Sequence, residues 1–310
     1  MAQRFGTPTS LAGEVDERPR DPMLVHAEAI AAAAAQLRPL SHSAAQLIAM
    51  NAADDVSSAD VVQLVSHDQV LAAAVLREAN SAASGATSGI TAIDQAVVRL
   101  GMQRVLSLSI RLSLSDELHE AVPEYGMTDG ELGLLSVVGS IAAEVVRERA
   151  TVRLPAEVNT AALLRDIGLL VLARFLDTPH RLLLDVVRDT GSDLPAGERM
   201  VLDANHGEAG GLLCQQWRLP ETVRLGVQYH HDPVACDEPI AHGVFLADVL
   251  AHLVCERTGG RWSHSAPDPD VMAESAVAIG LDLSSVDTLV DTVITRFEMR
   301  DTGLSLHVPS

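Results

Sequence analysis

Lysine is absent from this 310-residue chain; all 22 basic residues are arginine. That absence reads as a habit of genome composition rather than of function. Aromatic residues are scarce at 3%, so a core has to be built from Leu, Val, Ile and Ala, which suit close helix-on-helix packing. Cysteine is nearly missing: Cys214, Cys236 and Cys255 are odd in number, widely spaced and form no CxxC pair. This argues against a disulfide framework or zinc knuckle and for reduced thiols in a cytoplasmic protein. Positive charge is outnumbered, 22 basic against 42 acidic residues for a net charge of -20. An acidic surface repels phosphate backbones and anionic bilayers, so neither nucleic acid nor membrane is expected as a partner. The longest uncharged apolar stretch, around Ala29 to Leu37, is too short to span a bilayer. The first residues carry Arg4, Glu14, Asp16, Glu17 and Arg18, which does not read as a signal peptide.

What the chain does have is apolar mass, 47% of its residues. That is a globular composition. A single core stops growing at roughly 250–300 residues, so two packed lobes are expected. Residues 1–22, with Pro8, Pro19 and Pro22, read as a disordered leader. Residues 23–120 then form a first helical lobe, 121–260 a second, and 261–310 a C-terminal helical extension. Apolar residues recur at spacings of three and four, as at Val61, Leu64 and Val65 and then Val70, Leu71, Val75 and Leu76. A helix is predicted from Met23 to Leu37 and a long one from Gln103 to Leu118. Pro123 and Gly126 mark the lobe boundary. Thr128-Asp129-Gly130-Glu131 reads as a capping box opening a helix to Arg149. Pro155 opens the next helix, running through Leu163 to Val171. Pro179, Pro195 and Pro220 open or precede three more, and another runs from Pro239 to Arg257. Residues 258–269 read as a loop, followed by two short helices and a tail from Leu304. No alternating pattern persists between hairpin turns, so the fold class is all-α. P-loop, glycine-rich dinucleotide and Gly-x-Ser-x-Gly motifs are missing. Cys214 lies beside Leu212 and Leu213 and reads as core packing.

Three stretches carry more. The first is Val65-Ser66-His67-Asp68-Gln69-Val70-Leu71 with Val75-Leu76-Arg77-Glu78-Ala79-Asn80-Ser81-Ala82. The second is Ile90-Thr91-Ala92-Ile93-Asp94-Gln95-Ala96-Val97-Val98-Arg99-Leu100-Gly101. The third is dispersed: Leu163-Leu164-Arg165-Asp166-Ile167-Gly168, His206-Gly207-Glu208-Ala209-Gly210, Trp217, Leu219-Pro220 and His230-His231-Asp232-Pro233. In this order, over roughly residues 36–260, they resemble the HDOD family (HD-related output domain). The resemblance implies a two-lobed helical architecture whose second lobe is a degenerate relative of HD-type metal phosphohydrolases. Read locally, Asn80 and Ser81 cap a helix end and satisfy backbone groups in the break after it, Gly101 is a cap or tight turn, and Trp217 is a core anchor.

Active relatives, as the resemblance implies, hold a metal through a His on one helix, a His-Asp pair on a second and an Asp on a later one. Imidazoles and carboxylates fix a divalent ion, which acidifies a bound water and shields phosphate charge. Here the first His position falls on Leu135, the pair is Arg165-Asp166, and Asp248 is the candidate late Asp. Two of the implied ligands are therefore replaced, one by an apolar side chain and one by a permanent cation. No metal or other cofactor is expected. Arg165, or another Arg, is expected to supply the missing positive charge beside an ionised Asp166. His206, His230 and His231, with Asp248, remain as a second constellation; similar histidines hold a second metal in dinuclear relatives. The favoured reading of these histidines is burial with hydrogen bonds to helix ends.

The resemblance implies a non-catalytic signal-transduction module acting through protein contacts, with a signalling protein, self-association or a small anionic ligand as partner classes. The rival is a phosphohydrolase of phosphoesters or cyclic nucleotides using the residual His/Asp set. A third reading is a small-ligand sensor whose degenerate cleft binds an anion through Arg165.

Overall fold

The computed structural model describes residues 27–51, 57–81, 89–176, 181–236, 238–259 and 267–300, with 304 and 306. The leader, the start of the first predicted helix, Pro179, most of the loop 258–269 and most of the C-terminal tail lie outside the described residues.

In chain order the first helices are α1 (Ala27–Ala34), α2 (His42–Asn51), α3 (Ser58–His67), α4 (Gln69–Ala79), α5 (Ile93–Leu100), α6 (Met102–Ser113) and α7 (Ser115–His119). They are followed by α8 (Glu131–Arg149), α9 (Val158–Leu164), α10 (Leu169–Leu172), α11 (Arg181–Thr190), α12 (Leu194–Leu202), α13 (His206–Gln216), α14 (Glu221–Gln228) and α15 (Pro239–Arg257). The last two are α16 (Pro269–Ile279) and α17 (Val286–Glu298). Among the described residues the nearest thing to a sheet is one isolated bridge, Val122 to Met127. The fold is all-α.

Short polar residues set the helix ends. Asp68 closes α3 and opens α4, its carboxylate accepting from the backbone N–H groups of Val70 and Leu71. Asn80 does what its position suggested: its side-chain amide donates to Leu76 O at 2.8 Å and Ile90 O at 2.7 Å while its oxygen accepts from Ile90 N. Ser81 donates to Glu78 O at 2.7 Å. Asn80 itself keeps right-handed geometry, φ -94°. Gly101, φ 75°, closes α5 and opens α6, a backbone state that favours glycine.

Three expected elements differ. The long helix from Gln103 to Leu118 breaks at Leu114, where φ -107° and ψ 15° separate α6 from α7. The expected helix from Pro155 to Val171 splits into α9 and α10 around a turn at residues 165–168. The capping box is half-made: Glu131 accepts from Thr128 N at 2.6 Å, but the cap residue of α8 is Gly130, without a side-chain cap.

The centre of the molecule is α8 and α15, packed on each other, with α9, α14, α16 and α17 around them. Both are buried on nearly every side, so neither shows a polar stripe. The 19-residue α15 is long and apolar enough to cross a membrane, yet 78% of its 18-residue apolar window is buried inside the fold, as befits a core helix. Small residues on α8, among them Gly133, Gly139, Ala142 and Ala143, let neighbouring backbones come close. The alanine-rich α1 lies on α10 and α13, burying Ile30, Ala33 and Ala34. Arg174 ties it down through Gln36 at 3.1 Å.

Candidate functional site

The turn between α9 and α10, the start of α13, the chain just past α14 and the middle of α15 converge on one point. They bring together Arg165 and Asp166, His206, His230 and His231, and Asp248. Glu198, from α12, and His252, one turn beyond Asp248 on α15, complete the cluster.

Arg165 is the largest fully buried side chain among the described residues, 0% exposed. Its Nε lies 2.5 Å from Asp248 Oδ1 and its Nη2 3.1 Å from Asp166 Oδ2. Its Nη1 donates to Ala162 O at 2.9 Å, a carbonyl at the end of α9, and to Leu135 O at 3.1 Å. The position where the resemblance places a His therefore contributes only its backbone oxygen, while the Leu135 side chain joins the core at 1% exposure. Burial works against the guanidinium's charge, but Asp166 and Asp248 outweigh it and hold its pKa above the usual range. Burial likewise raises Asp166, but Arg165 and the nearby His230 ring bring it down to about 2. Asp248 is held well below the carboxylate range: burial opposes ionisation, and His252 and Arg165 overcome it.

Space for the guanidinium comes from α8. An added Cβ on Gly139 would stand 2.0 Å from Arg165 Nη1 and 2.8 Å from its Cζ. Gly139→Ala is expected to destabilise the fold by about 2 kcal/mol, because overpacking costs roughly 1–3 kcal/mol and alanine's helix preference returns up to about 1 kcal/mol. Urea unfolding measures it, and a variant as stable as the parent would show that Arg165 can move.

The histidines form the other half of the site. His206 sits at the first turn of α13, behind a capping box of Asn205 and Glu208. The carboxylate of Glu198 accepts from both its backbone N–H and its Nδ1, each at 2.8 Å. His206 Nε2 lies 2.7 Å from His231 Nε2 and 3.6 Å from Asp166 Oδ1. His230 donates Nδ1–H to Val227 O at the end of α14, 2.7 Å away, and turns Nε2 to Asp166 Oδ1 at 3.7 Å. Burial lowers the His206 pKa, yet Glu198 and Asp166 bring it above the ordinary histidine value. Burial and the neighbouring rings push His231 well below it. The directions fit one proton arrangement, assigned from the hydrogen-bond pattern: a charged His206 donates to Glu198 through Nδ1 and to a neutral His231 through Nε2. His252 is raised as well, burial being overcome by Asp248. These positive tendencies matter for the charge balance, since one guanidinium faces two carboxylates.

One half of this cluster has the donor chemistry of a metal site and the other does not. Between Asp166 and Asp248 the guanidinium already fills the space. Asp166, His206, His230 and His231 do offer four donor atoms within 4.8 Å of one another. Two of the rings have their far nitrogens held by Glu198 and Val227 O, as metal-ligating histidines usually do. Buried His230 Nε2 also lacks a hydrogen-bond partner. However, His206 and His231 stand 2.7 Å apart, whereas two nitrogens about 2.0–2.1 Å from a tetrahedral zinc are separated by about 3.3 Å. The rings here bond each other and must open to admit an ion.

A cleft of about 190 Å³ leads to the site, lined by His231, Asp248 and His252 and by Asp193, Glu256 and Asp268. Its charge is acidic, and Arg165 lies buried behind Asp248 instead of reaching the opening. Sequence reasoning found Arg165, Asp166, His206, His230, His231 and Asp248, and missed Glu198 and His252. The Asp248–His252 spacing of one helical turn was available as a signal. Glu198 offered none, since only the fold of α12 against α13 brings it to His206.

Comparison with known proteins agrees with this architecture. A crystal structure from Shewanella amazonensis, provisionally named a phosphohydrolase, superposes with a TM-score of 0.65 at 24% identity, covering 88% of this chain and 97% of that one. An HDOD domain protein of unknown function from Geobacter sulfurreducens gives 0.64 at 20%, covering 92% and 100%. An uncharacterised protein of Treponema pallidum is 26% identical over 202 residues; the match spans 63% of this chain but only 38% of that protein's length. The HDOD domain model matches residues 37–233, more than half of the sequence, including Arg165, Asp166, His206, His230 and His231 but ending before α15. The chain belongs to the HDOD family.

Proposed function

We propose that this protein is a non-catalytic regulatory module in signal transduction, working by binding a partner protein in the cytoplasm. The observation that supports this is Arg165, whose guanidinium occupies the space between Asp166 and Asp248. A guanidinium gives a carboxylate pair its counter-charge but has no open coordination position, so it cannot acidify a water or polarise a phosphoryl oxygen. The acidic cleft points the same way, because an anionic phosphoester entering it meets Asp193, Asp248, Glu256 and Asp268.

One observation favours a second reading, a metal-dependent phosphohydrolase. The donor set Asp166, His206, His230 and His231 would hold a single transition ion, which would supply a water acidified toward neutral pH.

One pair of measurements separates the readings. Elemental analysis after dialysis is expected to find far less than one transition metal per chain. Turnover of a generic phosphodiester with added manganese is expected to stay at background. A stoichiometric ion together with turnover abolished by Asp166→Ala would establish the enzyme.

A further inference from the structure

A second depression, away from the acidic cleft, is lined by arginines. Its polar walls come from four parts of the chain. Glu78 stands on α4; Arg104, Ser107, Leu108 and Arg111 lie on α6; Ser140 and Glu144 lie on α8; and Arg300 follows the end of α17. The α6 residues are spaced by three and four, and Ser140 and Glu144 by four, so each set lies on one helix face. Three guanidiniums and two carboxylates line it, in a chain of net charge -20.

The pairing within it is incomplete. Arg104 Nε is 3.5 Å and Arg300 Nε 3.9 Å from the same oxygen, Glu78 Oε1. Both nitrogens are buried without a hydrogen-bond partner. The Arg300 side chain is only 10% exposed, with its other end held by Glu144 at 2.5 Å. Buried N–H groups are rarely left without an acceptor. One carboxylate shared between two guanidiniums does not use their forked donor geometry, which suits an oxyanion. The depression holds about 50 Å³, against the roughly 10–15 Å³ needed for one water. That is room for one small oxyanion with its remainder in solvent, too little for a nucleobase.

We propose that Arg104, Arg111 and Arg300, with the hydroxyls of Ser107 and Ser140, form a binding site for one phosphate-sized oxyanion, either free phosphate or the head of a small phosphomonoester. The site joins α4 and α6 of the first lobe, α8 of the second and the C-terminal helix. Its occupant therefore favours the docked position of α17 and couples an anion's concentration to that part of the surface. This assignment is independent of the regulatory reading above.

The test uses the full chain and inorganic phosphate, by isothermal titration and thermal melting, with ionic strength held constant by sodium chloride. One saturable site and a saturating rise in melting temperature are expected. Glycerol 3-phosphate in a parallel arm identifies the source. Tighter binding than phosphate assigns the head of an ester; equal or weaker binding assigns the free ion. Arg104→Gln should weaken binding at least tenfold. Ser107→Asp, which adds a carboxylate at a partly exposed position, should abolish it. Circular dichroism of both variants checks that they fold, and neither removes the Arg300–Glu144 pair. The proposal is overturned by phosphate heats no larger than those of matched chloride, or by binding that persists in folded R104Q and S107D.

Discussion

Replacing Arg165 with leucine is expected to cost about 3–5 kcal/mol of stability, the range for removing one partner of a buried ion group. The carboxylates of Asp166 and Asp248 are both nearly enclosed, at 4% and 10% side-chain exposure, and Arg165 is the cation common to both. Leucine fills much of the volume but leaves two buried negative charges facing each other. The fold can respond only by taking up protons, admitting water or opening. A companion variant separates charge from packing. Adding Asp166→Asn and Asp248→Asn to Arg165→Leu removes the uncompensated charges, and at least half of the lost stability should return, since apolar or neutral replacements of whole buried ion groups are often tolerated. Urea unfolding of the parent, the single variant and the triple variant measures both effects. A single variant within about 1 kcal/mol of the parent would mean that Arg165 merely fills space. A triple variant no better than the single one would place the damage in lost packing and in the carbonyls of Leu135 and Ala162, which Arg165 also holds.

This centre was half visible in the sequence, for a physical reason. Arg165 and Asp166 are neighbours in the chain, so their exchange against a His-Asp pair can be read directly. Asp248 was reached through the order of motifs, and its pairing with Arg165 follows from charge once both are buried. Gly139 could not be found this way. Its role is to leave room for a side chain that lies 26 positions further on, and a glycine inside a helix carries no mark of what fills the space beside it. Glu198 resembled any surface glutamate until α12 packed against α13 and enclosed it at 0% exposure. The helices were more legible because their signals are local. Asn80 and Gly101 act as caps where the pattern placed them, and α15 has the limits that Pro239 and Arg257 suggested. The division of α6 from α7 was hidden, since Leu114 is neither a breaker nor a cap residue and is buried at 2% exposure. There the tertiary core decides the backbone. Glutamate at 131 drew attention to the right helix start, but glycine at 130 took the cap with φ 79°.

Gly168→Ala is expected to be among the most damaging single-methyl changes in the protein, because what it meets is backbone. A Cβ at Gly168 would fall 1.9 Å from the carbonyl oxygen of His206 and 2.6 Å from the backbone nitrogen of Gly210. No rotamer change relieves contacts with a helix's main chain; α13 itself must move away from the α9–α10 turn. That movement would carry His206 away from Asp166, whose separation is now 3.6 Å, and would loosen the hydrogen bonds of Glu198 to the start of α13. The expected loss is about 3 kcal/mol, at the upper end of the overpacking range. Gly89→Ala supplies the contrast. An added Cβ there meets nothing within 4 Å, so alanine should be neutral or stabilise by up to about 1 kcal/mol through the unfolded chain. Comparing the two in urea, with histidine resonances followed by NMR, tests the geometry directly. If G168A is as stable as G89A and leaves the His206 signals unshifted, α13 is not held against that turn, and the cluster at Asp166 is looser than the distances describe.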